Sequence, residues 1–199
     1  MNNYQVRFLK QAVLGQHVKL DNSDDVVRRC IELADRDMLS GGRFVCEDFN
    51  KPSKKERIDY ILETLKASSY DYSKVNKREV CNTVFWNCDE VKSKTIKGKG
   101  RDYKPLGFAQ KIVNMTYKYL YVFRDHIDVE IDFCKCECPV DSVILEKLGR
   151  NEKWTNLTFD EYESIQCSID NALKDEQYSV LKAEIGALAF DDNWVNTEE

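Results

Sequence analysis

The sequence predicts a mainly helical fold, built as a single helical domain over residues 1–199 or as two helical subdomains around a cleft. Apolar residues recur at three- and four-residue steps in several stretches, helix-start signatures precede most of them, and only one short segment alternates as a strand would. A chain of 199 residues is long enough to bury a sizeable core. Its apolar fraction of 42%, aromatic fraction of 11% and three prolines are those of a globular protein, not of a linker-rich chain.

Asn22-Ser23 precedes DDVVRRCIELADRDML, where Val26, Val27, Cys30, Ile31, Ala34 and Met38 form an apolar face that Gly41-Gly42 should end. Ser53 with Glu56 has capping-box spacing, followed by the stripe Ile58, Ile61, Leu62 and Leu65. Asn76 with Glu79, and Thr158 with Glu161, repeat the signature ahead of VCNTVFW and EYESIQCSIDNAL. The longest periodic stretch runs from Leu106 to about Phe123, with Phe108, Ile112, Met115, Tyr119 and Val122 on one side and apolar neighbours on much of the rest. Such a helix belongs near the centre of the fold. DVEIDFCKCEC alternates but has no partner of comparable strength, which predicts an extended loop or short hairpin.

Composition narrows the function. MNNYQVRFLKQAV lacks a basic stretch followed by an apolar run, and no span of about 18 uncharged apolar residues occurs, so a cytoplasmic protein without a membrane partner is expected. In a reducing compartment the eight cysteines read first as core thiols and second as metal ligands. Cys134, Cys136 and Cys138 would point to one side of an extended segment, yet the paired C-x2-C pattern usual for zinc is missing. Two histidines, His17 and His126, are too few for a histidine-rich centre. With no phosphate-binding loop, dinucleotide fingerprint or nucleophile elbow, neither a metal nor a cofactor is expected.

A net charge of -5 disfavours a nucleic-acid partner overall, although a local basic surface can still bind phosphate. KSKTIKGKGRDYK supplies one: Lys92, Lys94, Lys97, Lys99, Arg101 and Lys104 stand against Asp102 just before the central helix. Its cations and the first amides of that helix can face one anion together; a solvated surface loop is the simpler alternative. Lys111 lies one turn into the apolar helix, where a lysine either reaches the surface or sits in a cleft as a nucleophile able to form a Schiff base. Asp141 follows Pro139 at the start of VDSVILEKLGR, a helix ending near Gly149. It reads as an N-cap whose carboxylate can also stabilise positive charge on a nearby sugar.

LGFAQKIVN followed by CPVDSVILEKLGR resembles the hairpin-lysine segment and proline-aspartate helix of helix-hairpin-helix DNA glycosylases, in particular 8-oxoguanine glycosylases and their archaeal branch. The resemblance covers residues 106–150. It implies a DNA-repair activity on a modified or damaged base, with Lys111 as nucleophile and lyase residue and Asp141 assisting it. It further implies phosphate and nucleic-acid contacts from Lys97, Lys99, Arg101, Lys104, Gly107 and Gln110. An extruded base needs an apolar pocket, for which Phe85, Trp86 and Trp154 are the candidates; each also reads as a core aromatic. Two positions depart from the family pattern. Ala109 stands where many members carry the second hairpin glycine, and DHIDVEID widens the interval between lysine and aspartate.

Two other functions fit the same residues. One is a non-catalytic protein that binds nucleic acid, a nucleotide or a modified base on this scaffold, favoured by net acidity. The other is a protein-protein interaction module, in which Lys111 is exposed and Asp141 only a cap.

Overall fold

A computed structural model describes residues 10–15, 17–40, 53–84 and 106–172. The described residues are mainly helical and contain no strand. No helix among them is long and apolar enough to cross a membrane.

Helix α1 (Ser23–Ser40) starts where Asn22 Oδ1 accepts the Asp25 amide, and the six apolar residues expected on its inner face are all fully buried. Helix α2 (Lys54–Ala67) carries the reciprocal capping box between Ser53 and Glu56, and its stripe of Ile58, Ile61, Leu62 and Leu65 is buried. Between the two helices lies a buried ion pair. Arg57 Nε and Nη2 donate to the two Asp35 carboxylate oxygens at 2.8 and 3.0 Å. Fork-to-fork geometry lets each charge satisfy the other out of water.

Helix α3 (Lys77–Val84) is capped by Asn76, whose Oδ1 accepts from the amides of Arg78 and Glu79. Helix α4 (Leu106–Val122) is the central element, packed on α1 and α3. Its first half is buried all round, from Leu106 to Asn114. The side expected to face inward is less uniform: Phe108 and Ile112 are buried, Met115 and Tyr119 half-buried, and Val122 is exposed. Towards its end Tyr117 and Leu120 are buried in the core instead.

The cysteine-rich stretch is a loop, as expected, but it is not evenly extended. Asp132 accepts the Cys134 amide and starts a 3₁₀ turn over Phe133–Lys135. That turn exposes Cys134 while Cys136 and Cys138 are buried, so the three sulfurs do not share one side. A short helix α5 (Ser142–Lys147), a 3₁₀ turn over Trp154–Asn156 and helix α6 (Phe159–Ala172) complete the order. Thr158 and Glu161 cap α6 reciprocally.

Candidate active site

The first half of α4 brings Gly107, Gln110, Lys111 and Asn114 into the interior, an unusual polar content for a buried helix. The Lys111 side chain is only 10% exposed. Its ammonium lies 3.5 Å from Asp141 Oδ2 and 4.6 Å from the centre of the Trp154 ring. A carboxylate and an aromatic face thus replace much of the water such a cation normally holds. Trp154 is steadied by Phe108, the two rings meeting edge to face with centroids 5.2 Å apart.

Gly107 makes the Trp154 contact geometrically possible. A Cβ at this position would lie 1.9 Å from the Trp154 carbonyl oxygen, inside any van der Waals contact. The protein's own backbone thus occupies the space beside the Gly107 Cα.

Asp141 divides its carboxylate between two tasks. Oδ1 accepts from the amides of Val143 and Ile144, capping α5, and Oδ2 faces Lys111. Helix α5 ends with Gly149 at φ 65°, whose amide donates to Glu146 O while that of Arg150 donates to Leu145 O. This paired termination needs a left-handed residue, which glycine adopts without a Cβ clash.

Two glutamines hold the segment leading into Asp141. Gln110 Nε2 donates to Val140 O at 2.7 Å while its Oε1 accepts from Val140 N at 3.0 Å. Gln166 grips Cys138 in the same manner, at 2.7 and 3.3 Å. A side-chain amide has the donor and acceptor of a peptide group, so the two glutamines supply the pairing that a neighbouring strand would provide. Gln110 is completely buried. Its amide, the expected nucleic-acid contact, is enclosed and bonded to Gly107, Asn114 and Val140.

Behind this segment lies a polar cluster. Tyr72 and Tyr162 hydroxyls both donate to Glu137 Oε2, at 2.9 and 2.5 Å, and Lys77 Nζ lies 2.9 Å from the same oxygen. Burial by itself would raise the Glu137 carboxyl, but the Lys77 ammonium and the two hydroxyls outweigh it and hold the group below its ordinary range. Asn114 joins the cluster to the glutamine clamp: its Oδ1 lies 2.7 Å from the Tyr72 hydroxyl oxygen, and the two hydrogens of its Nδ2 are shared among the Tyr162 hydroxyl, Gln110 Oε1 and the Cys138 carbonyl.

A groove of about 500 Å³ runs beside α5, lined among others by Ser142, Leu145, Arg150, Lys153, Trp154 and Thr155. Its lining includes Ser142, the residue after Asp141, and Trp154, whose ring lies against the Lys111 ammonium; Lys111 and Asp141 themselves do not line it. No family model matches the chain, and neither a curated protein nor a solved structure is found to match it.

Of the residues singled out from the sequence, Lys111, Asp141 and Trp154 meet at one point. Phe85, Trp86, Lys97, Lys99, Arg101 and Lys104 lie outside the described residues. Lys111 is buried, not exposed as an interaction module would have it. Among the described residues no group of three or more His, Cys, Asp or Glu side chains is arranged to hold a metal ion. Gln166, Asn114 and Glu137 were not anticipated; a usable signal was Gln110 and Asn114 four residues apart in an otherwise apolar helix.

Proposed function

We propose that the protein is a DNA glycosylase-like enzyme acting on a modified or damaged base, with Lys111 as the attacking amine and Asp141 as its charged partner. The observation that supports this reading is the single point at which Lys111, Asp141 and Trp154 meet, Trp154 also lining the groove beside α5. A lysine removed from bulk water beside one carboxylate has the surroundings of an amine used in covalent catalysis.

In the proposed step Lys111 gives up its proton, and the freed lone pair on Nζ attacks C1′ of an extruded nucleotide. The bond from C1′ to the base breaks, and its electron pair leaves with the base, which takes up the proton that Lys111 released. Opening of the sugar ring moves the C1′–O4′ electron pair to O4′, which takes up a proton from Nζ, and the lone pair so freed on Nζ forms the iminium with C1′. The Asp141 carboxylate, anchored by its cap bonds, opposes the positive charge that grows during attack. Trp154 offers an aromatic surface beside the reacting sugar.

The test is borohydride trapping on duplex oligonucleotides that carry an abasic site, 8-oxoguanine or uracil. The expected result is a reduced covalent adduct in the wild type that is lost in Lys111→Ala. Asp141→Asn should retain the lysine yet slow adduct formation by about 100-fold, the scale of removing one electrostatic stabiliser. No adduct on any of the three substrates would overturn the Schiff-base chemistry.

A second reading has its own observation. Lys111 is engaged by both a carboxylate and a ring, an arrangement that also suits a cation of purely structural use in a non-catalytic nucleic-acid-binding or nucleotide-binding protein. Oligonucleotide binding that weakens with salt and is unchanged in Lys111→Ala would favour that reading.

A further inference from the structure

We propose that Gln110 is a positioning residue for Asp141: its two-armed grip on Val140 sets the register that brings the Asp141 carboxylate to the Lys111 amine. This inference rests on the glycosylase-like reading and extends it to a residue outside the reacting groups.

The geometry is a matched pair of neighbours. Gln110 and Lys111 are consecutive on α4, and the residues they engage, Val140 and Asp141, are consecutive on the opposing segment. Both arms of the amide go to one residue, so Val140 is held against sliding and against rotation about the chain axis. The amide orientation is determined by its surroundings. Gly107 O and Val140 O can only accept, which fixes Nε2 towards them, and Val140 N can only donate, which fixes Oε1.

Asp141 has no comparable anchor towards α4 except Lys111 itself, at an ion-pair distance of 3.5 Å that is long for a hydrogen bond. The cap bonds to Val143 and Ile144 travel with α5 and tie Asp141 only to its own helix. Gln110 thus couples the residue next to Asp141 to the lysine's helix, whereas Asn114 of the same helix reaches the segment only at Cys138. Gln166 stabilises the same segment but from α6 and two residues further back, at Cys138.

The experiment measures the rate of borohydride-trapped adduct on an abasic duplex for the full chain, as a function of oligonucleotide concentration. The wild type is compared with Gln110→Leu, Gln110→Asn and Gln166→Leu, each verified as folded at the assay temperature by its thermal transition. Gln110→Leu should lower the saturating rate by at least about tenfold, since a misplacement near 1 Å is costly to a reacting pair, while half-saturation stays within about twofold. Gln110→Asn, whose shorter arm cannot span the same gap, should behave alike and serves where the leucine variant is unfolded. Gln166→Leu, which loses hydrogen bonds to the same segment, should keep a rate within about twofold of the wild type.

Equal saturating rates in the folded Gln110 variants and the wild type would overturn the positioning role alone. The same holds if Gln166→Leu slows the reaction as much as Gln110→Leu, because the effect would then be one of general segment stability. An absent adduct in the wild type would instead overturn the glycosylase-like reading and this inference with it.

Discussion

Asp141 gives one carboxylate oxygen to the backbone of its own helix and the other to Lys111, 3.5 Å away. The two roles separate by substitution. Asparagine caps a helix about as well as aspartate but carries no charge, whereas alanine does neither. Asp141→Ala should therefore be less stable than Asp141→Asn by about 1 kcal/mol in urea unfolding, the usual worth of a cap. Equal stabilities would show that the cap bonds contribute nothing measurable.

Gly107 is predicted to tolerate no side chain. In Gly107→Ala the new methyl would meet the Trp154 carbonyl oxygen at 1.9 Å, and backbone cannot yield as a flexible side chain does. A loss of about 3 kcal/mol is expected, at the upper end for overpacking. Near-ultraviolet circular dichroism should change with it, because the Trp154 ring is the group displaced.

The Arg57 and Asp35 pair joins α2 to α1 with side-chain exposures of 6% and 1%. Removing either member breaks a buried ion pair, so Asp35→Ala or Arg57→Ala should cost about 3–5 kcal/mol. The double replacement Asp35→Leu with Arg57→Met should recover most of that loss, and unfolding of the double variant measures it. A double variant as unstable as the singles would show that bonding, not uncompensated charge, dominates the site.

The acid limb of stability should depend on Glu137. Its folded carboxyl titrates below the ordinary value of 4.5, so its contribution is complete above that pH and is lost as pH falls through the lower folded value. Glu137→Gln should accordingly be less stable than the wild type at neutral pH, with the gap in melting temperature narrowing below about pH 4.5. A gap that stays constant down to the acid transition would remove Glu137 from that limb.

Cysteine accessibility follows the turn at Phe133–Lys135. Cys134 and Cys167 are exposed, whereas Cys30, Cys81, Cys136 and Cys138 are buried. Burial also pushes the Cys136 thiol up to about 12, which keeps it protonated at neutral pH. Iodoacetamide on the native protein at pH 8 should label Cys134 and Cys167 and leave those four unlabelled, as read by peptide mass spectrometry.

Helix starts were legible in the sequence because a cap is a local event: Ser53 with Glu56 and Thr158 with Glu161 are three residues apart both in the chain and in the bonds they make. Inner faces such as Val26 to Met38 were legible for the same reason, as one period of apolar spacing defines them. The meeting of Lys111 with Asp141 came from a resemblance, not from spacing, since 30 residues of irregular loop and short helix separate the two. Gln110 shows where local reading stops. Its amide was visible as a polar group on an apolar helix, but the sequence does not say whether such a group meets solvent, phosphate or another part of its own chain. Gly107 presents the same difficulty, because the atom that requires it to be small belongs to Trp154, 47 residues away.

The interval between α4 and Asp141, including DHIDVEID, has a freedom that its length conceals. Since Gln110 fixes Val140 after that loop has returned to the core, the loop's contour does not set where the carboxylate lies. Residues can be inserted or deleted among the exposed positions Asp125, Asp128 and Glu130 as slack upstream of a moored point. The segment from Cys138 to Asp141 works as a berth, and the rope leading to it can change length.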